Sequence, residues 1–399
     1  MGNVFDGFLS SAQGLDAFGE QRFVAAMLRF EAALTAAQAK AGLVPQAAAQ
    51  SIIGTCKVDL FDTGKIVRES ARAGSLAIPM VTALKETVAL FNADAVAYVH
   101  LGSTSQDAID TAMALIAKDL LAAMEADLRT CTKALLTLAQ QHADAPVLAR
   151  TLMQPASVTS FGLQCVNWAA PLVRSLQRIQ ASSARALQVQ VGGAVGTFAG
   201  MQGYGAQVIA GVAAELGLGA PAAPWHTQRD EWVALCCDLG LMTGSLGKLA
   251  KDIALRSQFE VAELAEPFES GRGGSSDMEH KRNPVGSMVA LAASQRVPQR
   301  VAALLAAMPQ EHERALGAWQ AELAECSQLF VSALAASRAM AGVLPGLQVD
   351  TARMRYNITQ VAHAQSPASA ARWFDIGLAQ EAGVQARSYM QALQAELAG

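Results

Sequence analysis

The amino-acid sequence predicts an all-α protein built from long helices, and three observations support this fold class. Apolar residues recur at intervals of three and four along most of the chain, which is the period of a helix with a buried face. Hydrophobic residues make up 52% of the 399 residues and charged residues only 16%, which favours helices that are buried on more than one side. Segments with the two-residue alternation of β-strands are nearly absent, and the one extended connection that we expect covers residues 189–198.

Five long helices are expected between residues 104 and 343. In the first, apolar residues step by three and four from Ile109 to Leu135. Thr104 and Asp107 have the spacing of a capping box, which places the start of this helix at Thr104. The other four are expected at 161–179, at 235–253, after Pro284 and at 319–334.

The helices divide the chain into three predicted regions. We expect a small N-terminal helical domain at residues 1–97 and a central bundle of five long helices at 98–344. A short C-terminal helical region follows at 345–399, and Pro345 and Gly346 mark its boundary. The central bundle carries the polar segments discussed below, although an all-helical scaffold without chemistry would have the same helix pattern.

Composition and charge exclude several classes of protein. The formal net charge is −4 and no basic tract is present, which argues against nucleic-acid binding. Charged residues interrupt the apolar runs and the N-terminus has no secretory pattern, so we expect neither a membrane span nor a signal peptide. Six cysteines without C-x-x-C spacing are typical of free thiols, and we expect a cytoplasmic protein.

No cofactor or metal ion is expected. The histidines lack H-E-x-x-H spacing, and no phosphate-binding or dinucleotide-binding glycine motif is present. Glu260, Glu263 and Glu266 are spaced by three residues, but they lack the histidine partners of a carboxylate metal site. We therefore interpret them as a polar helix face or a contact between subunits.

The most unusual segment is residues 271–284, a glycine-rich stretch that interrupts the helical pattern. Its glycines allow a mobile backbone to approach a ligand closely. It precedes a helix whose N-terminus favours anions. Two hydroxyl groups and three groups suited to carboxylate binding lie in it: Ser275, Ser276, Lys281, Arg282 and Asn283.

Residues 274–284 read Gly-Ser-Ser-Asp-Met-Glu-His-Lys-Arg-Asn-Pro, which resembles the signature G-S-S-x-M-P-x-K-x-N-P of the fumarase/aspartase superfamily. Every fixed position matches except Glu279, where the family has proline. Residues 102–111 resemble the family's first block, and residues 151–156, Thr-Leu-Met-Gln-Pro-Ala, resemble its second block, T-H-x-Q-P-A. The resemblance implies a central helical bundle that associates into homotetramers, with active sites assembled from three subunits. We expect the 235–253 segment to form the contact between subunits.

The resemblance also implies a role for each matching residue. The first serine of the signature, Ser275, would transfer a proton at the carbon next to a carboxylate, and Lys281 and Asn283 would hold that carboxylate as it becomes an aci-carboxylate. A serine can do so only if nearby N–H groups and cations stabilise its alkoxide. The remaining matches are expected to bind substrate: Thr104, Ser105, Gln154, Ser276 and Met278.

Leu152 distinguishes this chain within the family. Fumarase-like and adenylosuccinate-lyase-like members usually have histidine at that position, whereas 3-carboxy-cis,cis-muconate cycloisomerases commonly lack it. Their reaction closes a lactone with the substrate's own carboxylate, a group that needs little protonation when it leaves in the reverse direction. Residues 224–230 and 313–319 also resemble the cycloisomerases, and they supply Arg229 and Arg314 as candidates for further substrate carboxylates.

The resemblance therefore implies a cofactor-independent cycloisomerase that converts a small polycarboxylate, 3-carboxy-cis,cis-muconate, to a carboxymuconolactone in aromatic degradation. His100, which precedes the first block, is a further candidate for substrate binding, although a capping role is an equal alternative. The alternative functions are adenylosuccinate lyase or another β-elimination lyase on a polycarboxylate, and an inactive helical assembly protein. Glu279 is the feature that favours an inactive protein.

Overall fold

A computed structural model describes residues 4–398, and it confirms the all-α fold class. The N-terminal helices are α1 (Asp6–Leu9), α2 (Ala12–Ala17), α3 (Glu20–Lys40), α4 (Gln46–Thr55), α5 (Thr63–Ala73) and α6 (Ala77–Phe91). The central helices are α7 (Ser105–Gln141), α8 (Phe161–Ala186), α9 (Gly205–Leu216), α10 (Asp230–Arg256), α11 (Val285–Ala306) and α12 (Ala318–Val343). The C-terminal helices are α13 (Thr351–His363), α14 (Pro367–Trp373) and α15 (Leu378–Ala398).

The five long helices that the sequence predicts are α7, α8, α10, α11 and α12. They pack against one another in turn: α7 on α8, α8 on α10, α10 on α11, α11 on α12, and α12 back on α7. Helix α7 is the longest, with 37 residues. At 1.5 Å per residue it is about 55 Å long, so its two ends are far apart.

The predicted start of α7 is confirmed. Thr104 is the residue before the helix, and the Asp107 carboxylate accepts a hydrogen bond from the Thr104 backbone N–H at 3.0 Å. This arrangement satisfies one of the N–H groups that a helix start leaves without an intrahelical partner.

The apolar seam of α10 is buried within the protomer. Each of its apolar residues is at most 1% exposed in the single chain: Leu235, Leu239, Met242, Leu246, Leu249 and Ile253. Helices α8, α11 and α12 cover this face. The expectation that the 235–253 seam joins subunits is therefore wrong, because that face has no surface left for a second chain.

A β-hairpin that the sequence analysis missed lies between α7 and α8. Strands β1 (Pro146–Thr151) and β2 (Gln154–Ser160) pair in antiparallel fashion around a two-residue turn. The turn residues Leu152 and Met153 have φ values of 51° and 67° and are 97% and 72% exposed. The expected extended piece at 189–198 forms no ladder; Gln188 makes an isolated bridge with Gly219 beside it.

The C-terminal region packs around this hairpin. Helix α13 packs on β1, and α15 packs on α8 and β2. A small apolar cluster fixes the hairpin there: Leu148, Val158, Ile358, Phe374 and Ala379. A second small sheet pairs β3 (Leu264–Ala265) with β4 (Gln348–Val349). The division of the chain at residues 97 and 344 remains a prediction.

Two helices, α10 and α12 with its short extension, have the length and apolar composition that could cross a membrane. More than half of the most apolar stretch in each is buried inside the fold. A core helix of a water-soluble protein meets the same criteria, so this finding is weak evidence for a membrane location.

Candidate active site

The segment that leads into α7 is a tight turn packed against a glycine-rich connection. His100 and Gly102 have φ values of 60° and 64°, and the Ser103 N–H donates to the His100 carbonyl at 3.3 Å. A Cβ on Gly102 would lie 3.2 Å from the Ala199 carbonyl oxygen, closer than ordinary packing allows. The glycine therefore permits two backbone segments to cross directly beside Thr104.

Asp107 is the buried centre of this region. Its Oδ1 lies 2.7 Å from Nε2 of His226, and both side chains are at most 4% exposed. Its Oδ2 accepts hydrogen bonds from the backbone N–H groups of Thr104 at 3.0 Å, Gly193 at 2.9 Å and Gly192 at 3.2 Å. One carboxylate thus fixes the first block, the 192–193 connection and an imidazole relative to one another. The sequence predicts Asp107 only as a helix-capping residue. Its contacts with His226 and with the 192–193 connection could not be foreseen, because capping alone explains an aspartate at this position.

Arg314 reaches the same region from the loop between α11 and α12. Its Nη2 donates to the Gly193 carbonyl oxygen at 2.5 Å. Burial lowers the pKa of its guanidinium, while the charges of Asp107 and Asp110 raise it, and an arginine remains charged in either case. Arg314 therefore brings a partly exposed positive charge to the first block, and its role in substrate binding remains a prediction.

Arg229 does not face a ligand site, which contradicts its expected role. Its side chain is 1% exposed and lies between Asp110 and Glu322. Nη1 and Nη2 donate to Asp110 at 2.9 and 3.2 Å, Nε donates to Glu322 at 3.1 Å, and Nη2 also donates to Glu322. The guanidinium stacks on the ring of Trp225, and the Trp319 indole donates to Asp110. Because these partners occupy all of its nitrogens, Arg229 is a structural cation and not a substrate ligand.

The glycine-rich loop is closed at its base and exposed at its tip. The Asn283 N–H donates to the Gly273 carbonyl at 2.7 Å, and the Asn283 amide donates to Gly274 O at 3.4 Å. Oγ of Ser275 accepts the backbone N–H groups of Asp277 at 3.3 Å and Met278 at 3.1 Å. Ser275 thus already has two donors that would stabilise an alkoxide.

The other loop residues with expected roles are exposed. Ser276 and Lys281 face solvent, and Met278 is 41% exposed. Within residues 4–398, the Lys281 ammonium forms no ion pair, so it is available to an anion. Gln154 is also exposed, at the start of β2 next to the hairpin turn. Ser105 is the first residue of α7 and is partly exposed.

The N-terminus of α11 is not open to substrate, which corrects a further expectation. The Glu266 carboxylate accepts the backbone N–H groups of Gly286 at 2.9 Å and Ser287 at 2.7 Å. An internal carboxylate therefore occupies the anion-binding end of this helix.

The three glutamates at 260, 263 and 266 do not share a helix face either. They follow the end of α10, in a segment outside any helix. Glu263 is 0% exposed and pairs with Arg150 and Arg256, while Glu266 caps α11. In the described part of the chain, no group of three or more His, Cys, Asp or Glu side chains is arranged to hold a metal ion.

The three sequence blocks lie at two ends of the bundle. His100, Thr104, Ser105 and Arg314 lie together at the N-terminal end of α7. The hairpin that carries Gln154 follows the other end of α7, a helix about 55 Å long. The glycine-rich loop also lies far from the first block, because α11, which is 22 residues or about 33 Å long, separates it from the loop of Arg314. Among residues 4–398, no hydrogen bond or ion pair connects any two of the three blocks.

Comparison with known proteins identifies the relatives of this chain. The sequence profile of the lyase family matches residues 9–298. The 3-carboxy-cis,cis-muconate cycloisomerase of Pseudomonas aeruginosa is 43% identical over 355 residues, which cover 89% of this chain and 77% of that protein. Nitrosuccinate lyase of Streptomyces davaonensis is 38% identical over 353 residues, covering 86% of this chain and 74% of that protein. The crystal structure of the 3-carboxy-cis,cis-muconate lactonizing enzyme of Pseudomonas putida superimposes with a TM-score of 0.87 and 35% identity, covering 99% of both chains.

Proposed function

Since the chain belongs to the lyase family of the fumarase/aspartase superfamily, we propose that it is a cycloisomerase of 3-carboxy-cis,cis-muconate, acting in the degradation of aromatic compounds through protocatechuate. The product is a carboxymuconolactone, and no cofactor takes part. The observation that carries this proposal is the loop at 273–283, where Ser275 accepts two backbone N–H groups on the segment that carries Lys281. The 43% sequence identity to the 3-carboxy-cis,cis-muconate cycloisomerase of Pseudomonas aeruginosa supports the choice of substrate.

The reaction is an isomerisation of the neutral acid; starting from the ionised tricarboxylate it takes up one proton, which Ser275 supplies and then regains from solvent. One substrate carboxylate oxygen adds to a carbon of the conjugated double bond, so a C–O bond forms and the π electrons move to the carbon beside a second carboxylate. The second carboxylate becomes an aci-carboxylate, whose charge Lys281 and Asn283 stabilise. Ser275 donates its proton to that carbon, and the two loop N–H groups stabilise the alkoxide that remains. In the reverse direction Ser275 removes the same proton.

The active site is proposed to form between subunits of a homotetramer. Thr104 and the hairpin with Gln154 lie at opposite ends of α7, so one protomer cannot present both to one small substrate. A neighbouring protomer in antiparallel orientation would bring opposite ends of the bundle together. In this arrangement Thr104, Ser105, Gln154, Ser276, Met278 and Arg314 bind substrate oxygens or enclose them. We also propose a cytoplasmic location; the burial of more than half of the most apolar stretch of α10 and of α12 favours core helices over membrane spans.

The proposal is tested by the change in ultraviolet absorbance of 3-carboxymuconate, measured with EDTA present to exclude a metal requirement. Ser275→Ala should lower kcat by about 10²–10⁴-fold while KM changes little, because the serine carries the proton and contributes little binding energy. Ser276→Ala is the matched control and should be much milder. Full turnover by Ser275→Ala together with a large loss in Ser276→Ala would overturn the assignment of the proton carrier.

A second candidate function is β-elimination from a substituted succinate. The similarity to nitrosuccinate lyase favours it, because removal of a proton next to a carboxylate by Ser275 would start both reactions. Assaying the purified protein separately with 3-carboxymuconate, nitrosuccinate and adenylosuccinate distinguishes the candidates. Turnover of either succinate at a higher kcat/KM than that of 3-carboxymuconate would replace the cycloisomerase assignment.

A further inference from the structure

Helix α3 carries a buried carboxylate on its apolar face. Glu31 is 0% exposed and lies on the side of the helix that also buries Met27 and Leu34. A buried ionised carboxylate is unfavourable unless a cation or hydrogen-bond donors compensate it. The proton transfer described above does not use this group, so its presence in the core requires another explanation.

The partner of Glu31 is His100, at the entrance to the first block. Nδ1 of His100 lies 2.6 Å from Oε1 of Glu31. Two helical turns further along α3, the buried Gln38 side chain donates through Nε2 to the Leu101 carbonyl oxygen at 2.6 Å. Helix α3 thus holds both the ring of His100 and the backbone of the next residue. This support maintains His100 at a φ of 60°, which is unfavourable for a residue with a side chain.

The charges around His100 favour its protonated form. Burial lowers the pKa of the imidazole, but the charge and hydrogen bond of Glu31 outweigh this effect, so the pKa lies above its ordinary value of 6.5. Asp107 from α7 raises this pKa further, while Lys85 from α6 lowers it. Cys56, at the end of α4, faces Glu31; burial and that carboxylate raise the pKa of its thiol, which therefore stays neutral.

One ring nitrogen of His100 remains for a ligand. Nδ1 is engaged by Glu31, and within the described residues no hydrogen bond involves Nε2. The side chain is 15% exposed, so one edge of the ring is accessible. An imidazolium N–H there is a charge-assisted donor suited to a carboxylate.

We propose that Glu31 is a positioning residue that holds His100 as an imidazolium, with its Nε2–H directed at one carboxylate of the polycarboxylate substrate. The pair would supply the positive charge that the sequence analysis assigned to Arg229, which is buried in an ion triad instead. The proposal rests on the proposed function, because it assumes that the substrate binds beside Thr104.

The test replaces Glu31 by Gln, which preserves the shape of the side chain and removes its charge. The pKa of His100, followed by NMR of its ring protons and nitrogens, should fall. At a pH between the wild-type and variant pKa values so measured, KM for 3-carboxymuconate should rise about tenfold, the loss expected for one hydrogen bond to a charged group, while kcat changes much less. At lower pH, His100 in the variant regains its proton and KM should return towards the wild-type value. A merely structural defect would not follow the titration of one histidine.

Thr35→Val is the matched control, because it alters a buried polar residue one turn away on the same helix. It should leave both the His100 titration and KM unchanged. An unchanged KM in Glu31→Gln despite a lowered His100 pKa would overturn the proposal, and so would an unchanged pKa. If Glu31→Gln does not fold, His100→Gln provides the test: KM should rise to a similar extent and lose its pH dependence, and an unchanged KM would refute the contact. Absence of wild-type turnover on 3-carboxymuconate would instead refute the proposed function.

Discussion

Replacing Arg229 by Met tests whether this residue stabilises the core or binds substrate. Removing its guanidinium leaves Asp110 and Glu322 facing each other, each about 1% exposed and without its counterion. Removing one member of a buried ion pair costs about 3–5 kcal/mol of the free energy of unfolding, chiefly because the remaining charge is buried without compensation. The exposed pair of Arg185 and Glu231 is the matched control: the two side chains are 55% and 44% exposed, so Arg185→Met should cost less than about 1 kcal/mol.

The pH dependence of stability gives this prediction a second readout. Burial raises the pKa of Glu322 above its ordinary value of 4.5, and Arg229 opposes that rise. Without Arg229 the pKa rises further, so the folded state binds a proton more tightly than the unfolded state. The stability of Arg229→Met should therefore fall as pH rises from about 4.5 through the raised pKa, more steeply than that of the wild type.

Urea unfolding monitored by tryptophan fluorescence at several pH values measures both effects, and Glu322→Met added to Arg229→Met should recover part of the loss. Wild-type stability combined with a KM raised tenfold or more would refute the structural role and restore Arg229 as a substrate ligand.

Three further predictions follow from the site. Asp107→Asn should lower kcat/KM about tenfold or more, because a neutral amide cannot accept all the backbone hydrogen bonds that position Thr104. An unchanged kcat/KM in steady-state kinetics would refute this role. Gly273→Ala should lower kcat, since its φ is 70° and a Cβ would lie 2.5 Å from the Asn283 carbonyl oxygen; activity equal to wild type would show that the loop tolerates the change. Leu152→Asn combined with Met153→Gly should raise the free energy of unfolding by about 1 kcal/mol, because the change relieves the strained turn. A lower free energy of unfolding, measured by urea denaturation, would contradict this explanation.

The helices could be predicted from sequence because their apolar spacing is a local property. The period of α7 and the pairing of Thr104 with Asp107 both depend on residues about one turn apart. The hairpin was missed because its turn carries Leu152 and Met153, where Asn and Gly usually provide positive φ values. The 235–253 seam was identified correctly as an apolar helix face, but periodicity does not distinguish a partner in the same chain from one in another subunit.

The polar contacts of the site could not be predicted because their partners are distant in sequence. Arg229 is 119 residues from Asp110 and 93 from Glu322, and Glu31 is 69 residues from His100. A single charged residue in an apolar helix pattern, such as Glu31, resembles a residue at the edge of the buried face. Only the packing of α3 beside the 100–104 turn gives it a partner.

Under the proposed function, the separation of the blocks gives the long helices a role. Helix α7 carries Thr104 at one end, and the hairpin with Gln154 follows its other end, so a helix of about 55 Å lies between two residues that we propose bind substrate. In the proposed homotetramer these residues would meet when two protomers align opposite ends of the bundle. Catalysis by this chain should therefore depend on assembly, and dilution below the dissociation constant of the oligomer should abolish turnover while each protomer keeps its helices.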